Sequence, residues 1–139
     1  MPATLAPHTL DRLLEAARTA QRSAHAPYSR FPVGAAVLDE SERVHAGCNV
    51  ENAAYPMGTC AETNAIGAMV AAGGKRVTAV VVVGDGKAPV TPCGGCRQRI
   101  AEFASPGTPV IVADRDRVRA QYTLAELLPH GFGPENLQA

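Results

Sequence analysis

The run VTAVVVVGD at residues 77–85 constrains the fold more than any other part of the sequence. Its length and its β-branched residues predict a strand rather than a helix. Apolar side chains at consecutive positions are typical of a strand that is buried on both faces. A strand of this kind needs helices on both faces of its sheet, so the sequence predicts an α/β fold with this strand at the centre.

Patterns on either side of this strand predict the other elements. Three helices are expected at 9–24 with Thr9 as N-cap, from Cys60 to Ala72, and from Cys93 to Ala104. A short fourth helix is expected after Thr123, where TLAE forms a capping box. The other strands are expected at 33–39 and 43–50, which form a hairpin, and at 108–114 and 117–123. The order predicts a three-layer α/β/α sandwich with a five-stranded mixed sheet.

Length and composition limit the classes of function. A chain of 139 residues with 46% hydrophobic residues predicts a single domain over residues 1–139. With 13 basic and 13 acidic residues the net charge is zero, which disfavours nucleic acid as a partner. No apolar stretch is long enough to span a membrane, and no signal peptide is recognisable, so we expect no membrane partner and a cytoplasmic protein. There, four cysteines indicate metal ligands or buried thiols rather than disulfides.

Three of the cysteines lie at predicted helix starts. Cys93 and Cys96 in PCGGC lie one turn apart on one helix face, and Cys60 begins the helix in GTCAETNAIGAM. Helix N-termini lower the pKa of a thiol and favour the thiolate that binds metals. If both helices start at one edge of the sheet, the three sulfurs converge. Three soft ligands suit zinc, with a fourth position open to water.

Glu62, two residues after Cys60, lies on a different face of a regular helix, so its position does not suggest a further ligand. At a helix start its long side chain can still reach the open position, where a carboxylate takes a proton from water and delivers it elsewhere. The pattern resembles the signature of zinc deaminases, in which a first ligand, any residue and Glu precede a later Pro-Cys-x-x-Cys. A different interpretation of Glu62 is a capping box that begins at Thr59. Glu62 then has no chemical role.

Other interpretations of the cysteines also stay open at this stage. Cys48 is a possible fourth thiolate, which makes the site a closed structural one. A lone CxxC pair is also typical of redox sites, and buried thiols need no ligand at all. The four histidines show no ligand spacing, and none is assigned to zinc.

Taken together, the motifs resemble those of the small homotetrameric cytidine deaminases. The resemblance runs from about Ala26 to Leu137. It is carried by APYSRFPVGAA, GCNVENAAYP, CAE, PCGGCRQ and ELLPHGFGPENL. It implies a homotetramer whose active sites are completed by neighbouring subunits, with a small nucleoside as substrate.

The resemblance implies one zinc ion per subunit, held by Cys60, Cys93 and Cys96, with Glu62 as the proton shuttle. Hydroxide formed at the metal attacks C4 of cytidine or 2′-deoxycytidine. The products are uridine or 2′-deoxyuridine and ammonia, which is a step of pyrimidine salvage.

The resemblance also implies substrate contacts by Phe31, Asn49, Glu51, Tyr55, Ala61 and Phe132. Asn49 and Glu51 correspond to residues that bind the ribose 3′-hydroxyl, although from pattern alone such residues in a loop are more often turn or surface residues. The backbone at Ala61 and the ring of Phe31 are expected near the base. Phe132 is expected to stack on the base from a neighbouring subunit, and Tyr55 to lie near a subunit contact. From pattern alone, the two Phe residues are more typical of a core.

One position departs from the family pattern, because Thr63 follows Glu62 where many members carry Arg. That Arg is thought to hydrogen-bond the cysteine thiolates. Since three thiolates leave Zn²⁺ with a net negative charge, another group is expected to offset it. Arg97, next to Cys96, is the candidate. The remaining alternatives for function are a related aminated nucleoside, such as an antibiotic nucleoside, a structural zinc module, and nucleic-acid editing, which zero net charge disfavours.

Overall fold

The computed structural model describes residues 5–138, so the outermost positions of the predicted 1–139 domain lie outside it. The helices are α1 (Pro7–Arg22), α2 (Ala61–Ala71), α3 (Gly94–Phe103) and α4 (Leu124–Leu127). The strands are β1 (Val33–Asp39), β2 (Val44–Cys48), β3 (Val77–Gly84), β4 (Pro109–Ala113) and β5 (Val118–Thr123). Short 3-10 turns lie at Tyr55–Met57 and Pro134–Leu137. The order of helices and strands is the predicted one.

The five strands form one mixed sheet in the order β2-β1-β3-β4-β5. β1 pairs antiparallel with β2 and β3, β3 pairs parallel with β4, and β5 pairs antiparallel with β4. Since β2 and β3 both run opposite to β1, they point in the same direction. Each is followed by a helix, so α2 and α3 start at the same edge of the sheet.

β3 lies at the centre of the sheet and is buried on both faces, as its sequence predicts. On one face, Val80 and Val82 pack in a core with α2 and α3. On the other, Val81 and Val83 pack in a core with α1. Burying one such side chain is worth about 1.5–3 kcal/mol. The predicted three-layer α/β/α sandwich is therefore confirmed.

Two glycines let helices pack closely on the sheet. A Cβ atom at Gly34 would lie 1.9 Å from the carbonyl oxygen of Ala17 in α1, and one at Gly47 would lie 2.5 Å from the backbone nitrogen of Ala65 in α2. Both distances are far shorter than van der Waals contact, so no other residue fits there without moving a helix. Gly47 thereby sets the distance of α2 from β2.

The first helix begins earlier than predicted. Ala6 is its N-cap and Pro7 its first helical residue, so the prediction of Thr9 as N-cap was wrong. Proline is favoured at the first helical position because an N–H group there has no partner within the helix, so its loss costs nothing, and because the fixed φ of proline suits a helix. By contrast, the capping box of Thr123 and Glu126 is present as predicted. Among the described residues, no helix is long and apolar enough to cross a membrane.

Candidate metal centre and active site

Three cysteine side chains from two helix starts form the centre of the site. Cys60 is the N-cap of α2, Cys93 is the N-cap of α3, and Cys96 lies in the first turn of α3. The two N-cap residues have extended backbone conformations, so both helices begin one residue later than predicted. Because α2 and α3 start at the same edge of the sheet, the three sulfurs converge as the sequence predicts.

Local hydrogen bonds hold Cys60 in place. A backbone bridge between Val50 and Thr59 closes the loop that precedes it. The Asn64 amide donates to the carbonyl oxygen of Cys48 at 2.7 Å and to Oγ1 of Thr59 at 3.1 Å, which ties the start of α2 to the end of β2. The sequence analysis did not identify Asn64. An Asn in a first helical turn often bonds nearby backbone, and this was the available signal.

The distances between the sulfurs fit a zinc ion. The three ligand atoms lie within 4.8 Å of one another, and the Sγ atoms of Cys60 and Cys93 are 3.8 Å apart. Two sulfurs that are each about 2.3 Å from a tetrahedral zinc ion lie about 3.8 Å from one another. Disulfide sulfurs lie only about 2 Å apart. The arrangement therefore fits metal ligands and not a disulfide.

Cys48 lies outside this group. Within residues 5–138, Cys60, Cys93 and Cys96 form the one cluster of three or more possible metal ligands. Cys48 pairs with Gly34 at the end of β2. The arrangement therefore does not support a closed site of four thiolates, and a tetrahedral zinc ion held by these three cysteines would have one position left for another ligand.

Glu62 is buried beside the sulfurs. It is 4% exposed, and it lines a cavity of about 160 Å³ together with Cys60 and Cys93. Burial raises the pKa of its carboxyl group, and its own backbone N–H and the charge of Arg99 lower the pKa by less. A carboxyl group whose pKa is raised in this way is suited to exchange protons near neutral pH.

The structure excludes the capping-box interpretation of Glu62. Because Cys60 is the N-cap, Glu62 occupies the second helical position and not the third. The side chain of the N-cap residue Cys60 makes no capping hydrogen bond. The burial of Glu62 therefore needs another explanation than helix capping.

The thiol pKa values follow the sequence prediction only in part. Burial raises the pKa of Cys60 and raises that of Cys96 to about 12, and the charge of Glu62 adds to both effects. Burial also acts on Cys93, but hydrogen bonds from the Cys96 backbone N–H and from both neighbouring thiols outweigh it and lower the pKa. The predicted lowering was wrong for Cys60 and Cys96, because burial beside negative groups outweighs a helix terminus. A bound cation favours the deprotonated sulfurs.

Arg97 has other partners than the sulfurs. Its guanidinium group donates from Nε to the carbonyl oxygen of Pro92 at 2.7 Å, from one terminal nitrogen to that of Leu127 at 3.0 Å, and from the other to Oγ1 of Thr91 at 3.1 Å. The expectation that Arg97 offsets the thiolate charge therefore finds no support in its contacts. Arg97 instead fixes the loop that carries Cys93 against the end of α4.

Thr63 was named only as a departure from the family pattern, but its side chain contacts the metal centre. Its Oγ1 lies 3.7 Å from Sγ of Cys96. Thr63 lies in the first turn of α2, three residues after Cys60, and its side chain points towards α3, which carries Cys96. A hydroxyl residue adjacent to Glu62 was the only sequence signal for this contact.

Asn49 is oriented by two backbone groups. Its Oδ1 accepts from the N–H of Val33 at 2.9 Å, and its Nδ2 donates to the carbonyl oxygen of Phe31 at 2.9 Å. Asn49 and Ala61 both border the cavity that Glu62 lines.

Glu51 is held in a similar way but borders a different cavity, of about 360 Å³, which Tyr28 and Tyr55 also line. Its carboxylate accepts from the backbone N–H of Tyr28 at 2.9 Å, from that of Ser29 at 3.1 Å, and from the Ser29 hydroxyl. These bonds leave the pKa of Glu51 below its usual value despite some burial, with the Ser29 hydroxyl contributing most.

The three aromatic residues predicted to contact the substrate are exposed and are not among the residues that line the cavity beside Glu62. Phe31 is 38% exposed, Phe132 57% and Tyr55 76%. Phe132 lines a third cavity, beside α3 and α4, and its carbonyl oxygen accepts from Gln98 at 2.8 Å. The rings of Tyr28 and Tyr55 are tilted against one another with centroids 5.9 Å apart.

A buried carboxyl group beside an open three-thiolate site is the arrangement of a zinc-dependent hydrolytic enzyme. Residues 7–112 match the family described as the cytidine and deoxycytidylate deaminase zinc-binding region, and the chain belongs to this family. The matched range contains the three cysteines and Glu62. The resemblance drawn from the motifs is thus confirmed.

Individual relatives agree in sequence and in fold. The cytidine deaminase of Sporosarcina psychrophila is 42% identical over 128 residues, which are 92% of this chain and 94% of that protein. That of Halalkalibacterium halodurans is 41% identical over 125 residues, 90% of this chain and 95% of that protein. The crystal structure of cytidine deaminase from Burkholderia pseudomallei matches with a TM-score of 0.82 at 40% identity, covering 92% of this chain and 100% of that one.

Proposed function

We propose that the protein catalyses the hydrolytic deamination of cytidine and 2′-deoxycytidine to uridine and 2′-deoxyuridine, with release of ammonia. The observation that carries the proposal is the burial of Glu62 in a cavity shared with Cys60 and Cys93. Relatives named cytidine deaminase, which are similar over most of both chains, support the substrate class.

Cys60, Cys93 and Cys96 are the proposed ligands of one zinc ion per subunit. Their thiolates suit a soft divalent cation, and the sulfur spacing fits tetrahedral coordination. A zinc ion held there supplies a Lewis acid that lowers the pKa of a water molecule and makes a nucleophile available at neutral pH.

Glu62 is the proposed proton shuttle. Its carboxylate accepts a proton from the attacking water and delivers it to N3 of the pyrimidine ring, which prepares C4 for attack. The hydroxyl group then present on C4 gives up a second proton, which passes through the same carboxylate to the amino group. The C4–N bond breaks, ammonia leaves, and the oxygen of water stays on the ring as the C4 carbonyl. Burial supports this role, because the raised pKa of Glu62 lets it hold a proton between the two transfers.

Asn49 and Glu51 are the proposed ligands of the ribose 3′-hydroxyl. The second N–H of the Asn49 amide and a remaining lone pair of the Glu51 carboxylate can donate to and accept from one hydroxyl group. Their existing hydrogen bonds to backbone support the proposal, since both side chains are oriented before the sugar arrives. The cavity of about 160 Å³ is smaller than most ligand pockets, which suits a base whose sugar extends outwards.

We further propose that the backbone at Ala61 and the ring of Phe31 contact the base, and that the protein is a homotetramer. In the tetramer Phe132 stacks on the base of a neighbouring subunit and Tyr55 lies near a subunit contact. The exposure of these two aromatic side chains supports this arrangement, because aromatic residues are enriched at interfaces. We also propose that residues 1–139 form one domain and that the protein acts in pyrimidine salvage in the cytoplasm. The four free cysteines support this compartment, because thiols stay reduced there.

The test is an assay of the zinc-loaded protein with cytidine and 2′-deoxycytidine, in which ultraviolet absorbance follows loss of the amino group. We expect turnover by the wild type and by Glu102→Gln, a matched control on the exposed face of α3. Glu62→Gln is expected to keep its zinc and to lose activity. A wild type that holds zinc and leaves both nucleosides unchanged would contradict the proposal.

The same assay separates the alternatives. A structural zinc module predicts equal zinc content and no turnover of any nucleoside by any variant. A preference for an antibiotic nucleoside predicts turnover that persists when the 3′-hydroxyl is missing and that is insensitive to Asn49→Ala. The Asn49 and Glu51 pair favours an ordinary ribose or deoxyribose.

A further inference from the structure

The hydroxyl group of Thr63 reaches across from α2 to a sulfur carried by α3. Oγ1 of Thr63 and Sγ of Cys96 are 3.7 Å apart, which is within hydrogen-bond distance for sulfur. A metal-bound cysteine is a thiolate and has no proton to donate, so in the loaded site the hydroxyl must be the donor.

Cys96 is the sulfur that most needs a donor from the protein. It is 0% exposed, whereas Cys93 is exposed and Cys60 is intermediate. Water can therefore stabilise the negative charge on the outer sulfurs but not that on Cys96. An unpaired charge in a buried position is costly, and hydrogen bonds to charged groups are stronger than those between neutral ones.

The two arginines nearest in sequence are arranged for other contacts. The guanidinium nitrogens of Arg97 donate to oxygens of Thr91, Pro92 and Leu127. Arg99 is exposed, and its charge acts on Glu62. The donor that faces the buried sulfur is thus a neutral hydroxyl and not a cation.

We propose that Thr63 is a positioning residue of the metal centre. Its hydroxyl group donates a hydrogen bond to the Cys96 thiolate, orients the lone pairs of this sulfur and strengthens zinc binding. The proposal rests on the zinc site of the proposed function. A neutral donor stabilises the sulfur without adding a positive charge that would repel the zinc ion. Partners that orient metal ligands in this way commonly affect metal affinity by about 10- to 100-fold when removed.

The experiment measures zinc affinity of the purified protein without substrate, by competition with a chromophoric chelator. Thr63→Val removes the hydroxyl and keeps the shape, and we expect it to weaken zinc binding by about 10- to 100-fold. Thr63→Ser keeps the hydroxyl and is expected to bind zinc nearly as tightly as the wild type. Thr19→Val, the same change on the exposed side of α1, is the matched control and is expected to have no effect.

A spectroscopic readout tests the contact itself. With Co²⁺ in place of zinc, the thiolate-to-cobalt absorption bands are expected to shift in Thr63→Val and not in Thr63→Ser, because one sulfur loses a hydrogen bond. Urea unfolding of the metal-free variants checks that they fold, and Thr63→Ala replaces Thr63→Val if the latter does not.

Two outcomes overturn the proposal. One is a Thr63→Val protein with wild-type zinc affinity and cobalt spectrum. The other is a Thr63→Ser protein as impaired as Thr63→Val, because packing of the methyl group would then explain the effect. If zinc affinity depends on the hydroxyl but no nucleoside is deaminated, the proposed function fails and the role of Thr63 stands.

Discussion

Two buried carboxyl groups lie at opposite ends of β1 and have opposite properties. Glu62 is 4% exposed and lines the cavity that also contacts Val33, the first residue of β1. Asp39, the last residue of the strand, is 1% exposed. The pKa of Glu62 is raised and that of Asp39 is held well below its usual value.

The donors around each carboxyl group explain the difference. Burial alone would raise the pKa of Asp39, but its oxygens accept from His45 at 2.8 Å, from the backbone N–H of Ser41 at 2.8 Å, and from the backbone and Nε of Arg43 at 2.9 Å each. Glu62 has a cavity in front of it instead. A fully bonded carboxylate contributes to stability, whereas one beside a cavity and a metal site is available for chemistry.

The largest expected effect is on activity at the Glu62 end. Glu62→Gln removes the proton acceptor, and we expect kcat to fall by about 10²- to 10⁴-fold, the usual contribution of a general acid or base. The free energy of unfolding is expected to stay equal or to rise, because Gln avoids the cost of burying a carboxylate. Steady-state kinetics and urea unfolding of one preparation check both parts, and a large loss of stability would break the comparison.

At the other end of β1 we expect the reverse. Asp39→Asn removes the charge that pairs with Arg43 and His45, so the free energy of unfolding should fall clearly at pH 7. Activity per folded molecule should stay near that of the wild type. Asp116→Asn, at an exposed position, is the control. Loss of kcat in Asp39→Asn protein that is fully folded and zinc-loaded would contradict the assignment.

The pH dependence of stability sharpens the comparison. Because the pKa of Asp39 is lowered from 3.8 in the folded protein, its contribution is fully present above that value and is lost as the pH falls through the folded pKa. The free energy of unfolding of the wild type should therefore fall more steeply below about pH 4 than that of Asp39→Asn. Urea unfolding across the acid range measures both slopes, and parallel curves would exclude this role for Asp39.

The smallest expected effect concerns Arg43. Its side chain is 47% exposed, so water can replace part of its interaction with Asp39. We expect Arg43→Gln to lower the free energy of unfolding by no more than about 1 kcal/mol, as for other solvent-accessible ion pairs. Added salt should reduce the difference between the wild type and Arg43→Gln. A larger loss would indicate that Arg43 matters chiefly through its bond to the carbonyl oxygen of Ala72.

The sequence predicted one of these two carboxyl groups and not the other. Glu62 was identified because its spacing from Cys60 is part of a recognisable pattern. Asp39 was predicted only as the last residue of the strand at 33–39, and nothing local indicates that its carboxyl group is buried. Its partners His45 and Arg43 come from β2 and the turn, so only the pairing of β1 with β2 brings them together.

Elements with a strong local pattern were predicted well, as Glu62 was, because the signal lies in neighbouring residues. The β-branched run of β3 and the capping box at Thr123 depend on neighbouring residues alone. Leu127, one partner of Arg97, lies 30 residues away in sequence, and Cys96, the partner of Thr63, lies 33 residues away. These two contacts therefore follow from the packing of α3 on α4 and on α2. The raised thiol pKa values also follow from burial, which the sequence does not show.

The helix α3 connects the metal ligands to the C-terminal part of the chain through side chains on successive positions. Within six positions it carries two sulfurs, at Cys93 and Cys96, and two anchors for the chain beyond, since Arg97 bonds Leu127 and Gln98 bonds Phe132. Inserting one residue after Cys96 would turn everything beyond it by about 100° and detach both anchors while leaving the sulfurs in place. Changes in length are therefore barred from this segment, and variation here is confined to substitution.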